Sequence, residues 1–125
     1  MTDTYAQPRY DGAVALMEAI ERDDVAVLGE AIIGAPLYEE DFDVVHQASV
    51  RLSTHDDQII RGNAILAFGH LARRFERMGV ETLEIVRRGL HDRSEYVRGQ
   101  AWAAASDRRF FLGAPIDPEE TTATP

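Results

Sequence analysis

The chain has 125 residues, 45% of them hydrophobic, which is the size of one domain with a real core. It lacks cysteine, so disulfides and thiolate metal sites are excluded. No run of about 18 apolar residues could span a membrane, and the opening MTDTYAQPRY has neither a basic start nor an apolar stretch, so a cytoplasmic protein is expected. All 13 basic residues are arginine; residues 1–57 carry 13 acids against 3 arginines, residues 58–111 carry 6 against 10, and the total is −9.

Taken in order, the elements all read as helix. Ala13, Leu16, Met17 and Ile20 recur at helical spacing and form one short stripe. Asp23 and Asp24 are candidate caps for a second stripe of Val25, Leu28 and Ile32. Gly34-Ala35-Pro36 is expected to close that helix, because proline cannot continue it and biases Ala35 toward extended geometry. Phe42, Val45, Ala48, Ser49 and Leu52 form a third stripe. Its start carries Glu39, Glu40, Asp41 and Asp43, where carboxylates suit the positive end of the helix.

Asp56 or Asp57 caps the longest segment, about residues 58 to 77, with Ile60, Ala64, Ala67, Phe68, Leu71 and Phe75 on its buried face and Gly79 as its breaker. Leu83, Val86 and Leu90 mark a fifth helix. Asp92 or Ser94 caps a sixth that reaches about Phe111. From Gly113 onward the prolines and threonines predict a polar tail. No segment alternates long enough to be a strand.

Two tracts resemble each other. His55-Asp56-Asp57-Gln58-Ile59-Ile60-Arg61-Gly62-Asn63-Ala64 is echoed by His91-Asp92-Arg93-Ser94-Glu95-Tyr96-Val97-Arg98-Gly99-Gln100-Ala101, spaced 36 at the caps and 37 in the helices. Helix pairs at such a period signal a solenoid, because one pair cannot cover its own apolar stripe. Leu90, Asp92, Val97, Arg98 and Ala101, with Leu52, Asp56, Ile60, Arg61 and Ala64 before them, resemble the HEAT-like repeat pattern. The resemblance implies an all-α fold, a short right-handed α-solenoid of about three antiparallel helix pairs. The domain would cover residues 1–112, with a degenerate pair at 13–34, repeats at 39–77 and 79–112, and the tail at 113–125. Arg108 departs from the pattern, standing where the earlier copy has Leu71.

The wording of the repeats, Arg61-Gly62-Asn63-Ala64-Ile65-Leu66-Ala67-Phe68-Gly69-His70-Leu71-Ala72-Arg73, then Tyr96 to Ala101 and Phe111-Leu112-Gly113, is similar to small bacterial HEAT-like immunity proteins of contact-dependent inhibition and other polymorphic-toxin loci. That resemblance implies a cytoplasmic protein that binds a toxin domain.

Counting 100° per residue from Ile60 places Gly62, Leu66, Gly69 and Arg73 opposite the core face. The same count puts Gly99, Trp102, Ala103, Ser106 and Phe110 on that side of the sixth helix. Glycine inside a helix costs about 1 kcal/mol against alanine, so three of them on one side call for a reason. They could open a partner-binding groove anchored by Trp102 and Leu66, lie under another part of the same chain, or mediate self-association as a weak homodimer. Arg61 and Arg98 are expected to form a structural ladder with a carboxylate such as Asp56 or Asp92, with contact to acidic groups of a ligand as the alternative.

Chemistry is hard to assemble. His46, His55, His70 and His91 include no i, i+4 pair and no HExxH. Glu39 to Asp43 lack the alternate spacing and glycine of a calcium loop, and no nucleophile elbow or phosphate loop occurs. Neither enzyme activity nor a metal or cofactor is expected. The arginine pairs 73–74, 87–88 and 108–109 suit helix C-termini. The expected work is therefore protein binding, with no membrane partner: an immunity protein that occludes a toxin domain, such as a basic nuclease steered by Asp41 and Asp43. A generic adaptor subunit is the alternative. A nucleic-acid role is less favoured, given the net charge.

Overall fold

The computed structural model describes residues 7–113, and within them every regular element is a helix. The order is α1 (Ala13–Arg22), α2 (Val25–Tyr38), α3 (Phe42–Leu52), α4 (Gln58–Phe75), α5 (Thr82–Gly89) and α6 (Glu95–Leu112). The expected tail lies outside the described residues apart from Gly113. Caps settle the open choices. Asp24, Asp41, Asp57 and Ser94 each accept a first-turn backbone N–H, which satisfies donors that the helix itself cannot pair.

Two helix ends differ from expectation. α2 runs through Pro36 to Tyr38. Pro36 sits in the last turns and is fully buried with Ala35, so the single backbone bond that its ring forfeits is offset by packing. Its carbonyl accepts from Arg74 Nη1 at 2.7 Å, and the Ala35 carbonyl from Glu39 N–H at 2.9 Å. α4 ends not at Gly79 but at Glu76, which takes the left-handed turn at φ 53°. Gly79 has a different task. It lies against the buried His46, and a Cβ there would overlap the imidazole.

Packing follows chain order. α1 packs on α2, α3 on α4, and α5 on α6, while α2 touches α4 and α4 touches α6; α1 also packs on α3. α4 is the hub, lying against α2, α3, α5 and α6, and so it is buried nearly all round. Leu16, Leu28, Ile32, Val45, Ile60, Phe68, Leu71, Val86 and Val97 are fully buried in one continuous core. Each contributes about 1.5–3 kcal/mol of apolar transfer before entropy is counted. His46 belongs to this core: its ring stacks on Phe42 at 5.4 Å and meets Phe68 edge-on at 5.9 Å.

The two duplicated tracts lie side by side. Ser94 Oγ donates to Gln58, Gln100 Nε2 to Asn63 Oδ1 at 2.9 Å, and Gly69 faces Ala104 and Asp107. Residue numbers rise together along both helices, so α4 and α6 run parallel. The capping residues Asp57 and Ser94 are 37 apart, like the helices. His55 and His91 are therefore not equivalent: His55 stands two residues before its cap and His91 three.

A non-helical strap precedes α1. The backbone of Pro8 to Tyr10 crosses Gly34 of α2, where a Cβ would come within 2.9 Å of the Tyr10 side chain. Arg9 N–H donates to Glu30 at 3.0 Å, Tyr38 donates to Gln7, and Tyr10 Oη donates to Glu39 at 2.5 Å. Burial and this bond push the Tyr10 phenol above its ordinary range, and the same bond holds the Glu39 carboxyl below its own.

Candidate functional site

The turns that precede the even-numbered helices line up along one edge and are cross-linked. His55 Nδ1 accepts from Asp57 N–H at 2.9 Å, which leaves Nε2 to donate to Asp23 of the preceding turn at 2.7 Å. Arg61, one turn into α4, grips the following turn: Nε and Nη2 each donate to a different oxygen of Asp92 at 2.9 Å. Its Nη1 donates to the carbonyls of His55 at 3.0 Å and Asp56 at 3.1 Å. Arg61 is only 8% exposed. Asp92 also accepts Ser94 N–H at 2.8 Å, so this pair ties the cap of α6 to the start of α4. The guanidinium holds the Asp92 carboxyl below its usual range, and the carboxylate raises Arg61 in turn. Of the two roles open to Arg61, the structure shows the ladder, with Asp92 rather than Asp56.

Arg98, its equivalent in α6, differs. It is exposed and donates through Nη1 to its own turn, the Asp92 carbonyl, at 2.8 Å. Among the described residues no carboxylate pairs with it.

The glycine side divides the same way. Gly62 and Gly69 are buried under α6, which corrects the open wall that a free groove would need. A Cβ at Gly62 would lie 2.9 Å from the Tyr96 ring, and one at Gly69 3.1 Å from the Ala104 backbone. The glycines are there because α6 approaches closely. Tyr96 Oη donates to Asn63 Oδ1 at 2.7 Å and fixes the register. The intramolecular alternative therefore applies to both. Leu66 is half-buried beside this interface, and Arg73 is exposed near the end of α4. Gly99, by contrast, has no described atom within 4 Å of an added Cβ; Trp102 is half-buried, and Phe110 is 80% exposed. These residues lie on the side of α6 turned from α4.

Asp41 and Asp43 remain outward. Asp41 caps α3 by accepting Asp43 N–H at 3.0 Å, and Asp43, with its side chain 81% exposed, lies 3.9 Å from Arg77. Arg77 itself lies over the Phe42 ring at 3.9 Å. Among the described residues no three His, Asp or Glu side chains gather as metal donors. His70 is held below its ordinary range by burial and Arg73. A cavity of about 310 Å³ between the strap, α1 and α2 is lined by Tyr10, Leu16, Val27 and Glu30 among others, and no cluster of reactive groups converges on it.

Sequence reasoning missed the strap, because a segment this short and non-helical carries no period, although Tyr10 packs against the core. The one available signal was Gly34, a glycine inside a helix at a close approach. No helix of the described residues is long and apolar enough to cross a membrane. No family model, curated protein or solved structure matches this chain.

Proposed function

We propose that the chain is a short HEAT-like α-solenoid whose work is to bind another protein, and that it acts as a cytoplasmic immunity protein that occludes a toxin domain. The observation that carries the binding role is the outward side of α6. It is the repeat-equivalent of a face that α4 buries, yet it is left open among the described residues. The toxin rests on the resemblance of the repeats. It is supported by the exposed carboxylates of α1 to α3, among them Glu21, Asp23, Asp41 and Asp43, which favour encounter with a basic surface such as that of a nuclease.

The test is a search beside this chain's gene for an open reading frame whose C-terminal domain arrests growth when expressed alone. Co-expression should restore growth that the domain alone arrests. Changing Asp41 and Asp43 to asparagine should lower the association rate several-fold at low salt and little at high salt. Binding without rescue of growth would instead favour an adaptor subunit, and no binding would remove the reading.

A further inference from the structure

The contact between α4 and α6 defines what the next layer would have to offer. Counting back 37 residues, Arg98 corresponds to Arg61, Glu95 to Gln58, Gly99 to Gly62, Trp102 to Ile65 and Ser106 to Gly69. On α4 these positions accept a parallel helix whose capping turn delivers Asp92 to the arginine and whose first turn lays Tyr96 over the glycine. On α6 the arginine meets only a carbonyl of its own turn, and the glycine is uncovered among the described residues. A guanidinium so placed lacks the bidentate partner that its planar fork fits.

We propose that the outward face of α6 docks a helix of the protein partner, running parallel to α6, whose preceding turn presents a carboxylate to Arg98. This rests on the reading of the chain as a protein-binding repeat and names the element that it recognises. A second copy stacked head-to-tail fits poorly. The residue two positions before the cap is Asp92 in α6, but it is Arg22 before α2 and His55 before α4. Stacking α2 of another copy here would set Arg22 against Arg98, and the strap already crosses α2 at Gly34. Asp92 itself is held by Arg61. Neither Asp92 nor α2 of a second copy supplies the carboxylate, and a partner helix with an acidic turn fits the position.

Trp102 is the only tryptophan and stands on this face, so its emission in the full chain reports occupancy. The probe is a synthetic peptide of residues 89–113 carrying W102F, which presents the turn and helix that α4 accepts. A saturable blue shift of Trp102 emission is expected. Arg98→Ala in the protein, or Asp92→Ala in the peptide, should weaken it at least fivefold, and Gly99→Leu in the protein should abolish it. No shift, or a shift that Arg98→Ala and Gly99→Leu leave unchanged, overturns the proposal; the latter would mean that the peptide displaces α6 from α4. Deleting residues 114–125 provides the remaining outcome. If deletion alone red-shifts Trp102, the chain covers this face itself and the proposal fails. Growth rescue by the toxin pair is read separately, so failure here leaves that reading standing, and the reverse.

Discussion

Arg61 and Arg98 are the same residue in two copies of one motif, and they do different work. Arg61 is buried, bidentate to Asp92 and bonded to two carbonyls; Arg98 is exposed and holds one carbonyl. The glycines beside them differ in step: Gly62 is pressed by Tyr96, and Gly99 is uncovered among the described residues. What separates them is the helix that lies beside α4 at this face. A recurring sequence pattern therefore marks a face that can be packed, and whether it is packed depends on what stands next to it.

The sharpest way to break this comparison is to remove the shared carboxylate. Asp92→Ala leaves the Arg61 guanidinium buried without its counter-charge, and should lower unfolding stability by about 3 kcal/mol in a urea titration. A loss below about 1 kcal/mol would show that the pair is solvated and the two arginines alike. The pH dependence sharpens the same point. Because Arg61 depresses the Asp92 carboxyl, its contribution is complete above the unfolded-state value, roughly 3.9. It is lost as pH falls through the lower folded-state value. Between pH 7 and pH 3 the wild-type chain should lose more stability than Asp92→Asn.

The glycines come next. Gly62→Leu must displace the Tyr96 ring and its bond to Asn63, at a cost of about 2 kcal/mol. At Gly99 an added Cβ meets no described atom, and leucine replaces a poor helix former, so Gly99→Leu should gain roughly 0.5–1 kcal/mol. Opposite signs in thermal melts are the expected result; equal losses would mean that Gly99 is covered after all.

Much of this was legible in the sequence. The six helices, most of the caps and the Arg61 ladder follow from apolar spacing, capping chemistry and the duplicated tract. The side of α4 that holds Gly62 and Gly69 was not. A helical wheel shows which residues avoid one core, but α4 is packed on several sides and has no single wet face to contrast. Gly62 and Gly69, seven residues apart on one side of α4, report close approach without naming what approaches. Pro36 inside α2 reflects a packing gain that outweighs a local rule.

The strap is the counterpart of the open end. Residues 8–10 close the α2 side at Gly34, much as Tyr96 closes Gly62. Tyr10→Phe removes the Glu39 bond and should cost about 1 kcal/mol. Since the phenol is raised in the folded chain, that contribution holds below about pH 10 and fades as pH rises past it, when tyrosinate forms. The difference between wild type and Tyr10→Phe should therefore shrink in alkali.

The smallest effect is the most informative about function. Arg98→Ala deletes an exposed side chain whose one described partner is a carbonyl of its own turn, so the change in stability should stay within about 0.5 kcal/mol. The same substitution at Arg61 strands Asp92 and opens the α4–α6 edge. If Arg98→Ala matched it, Arg98 would be holding the last turn in place and would not be free for a partner. If it is silent in urea, any loss of binding that it causes can be assigned to the interface itself, because the fold that presents Gly99 and Trp102 is unchanged.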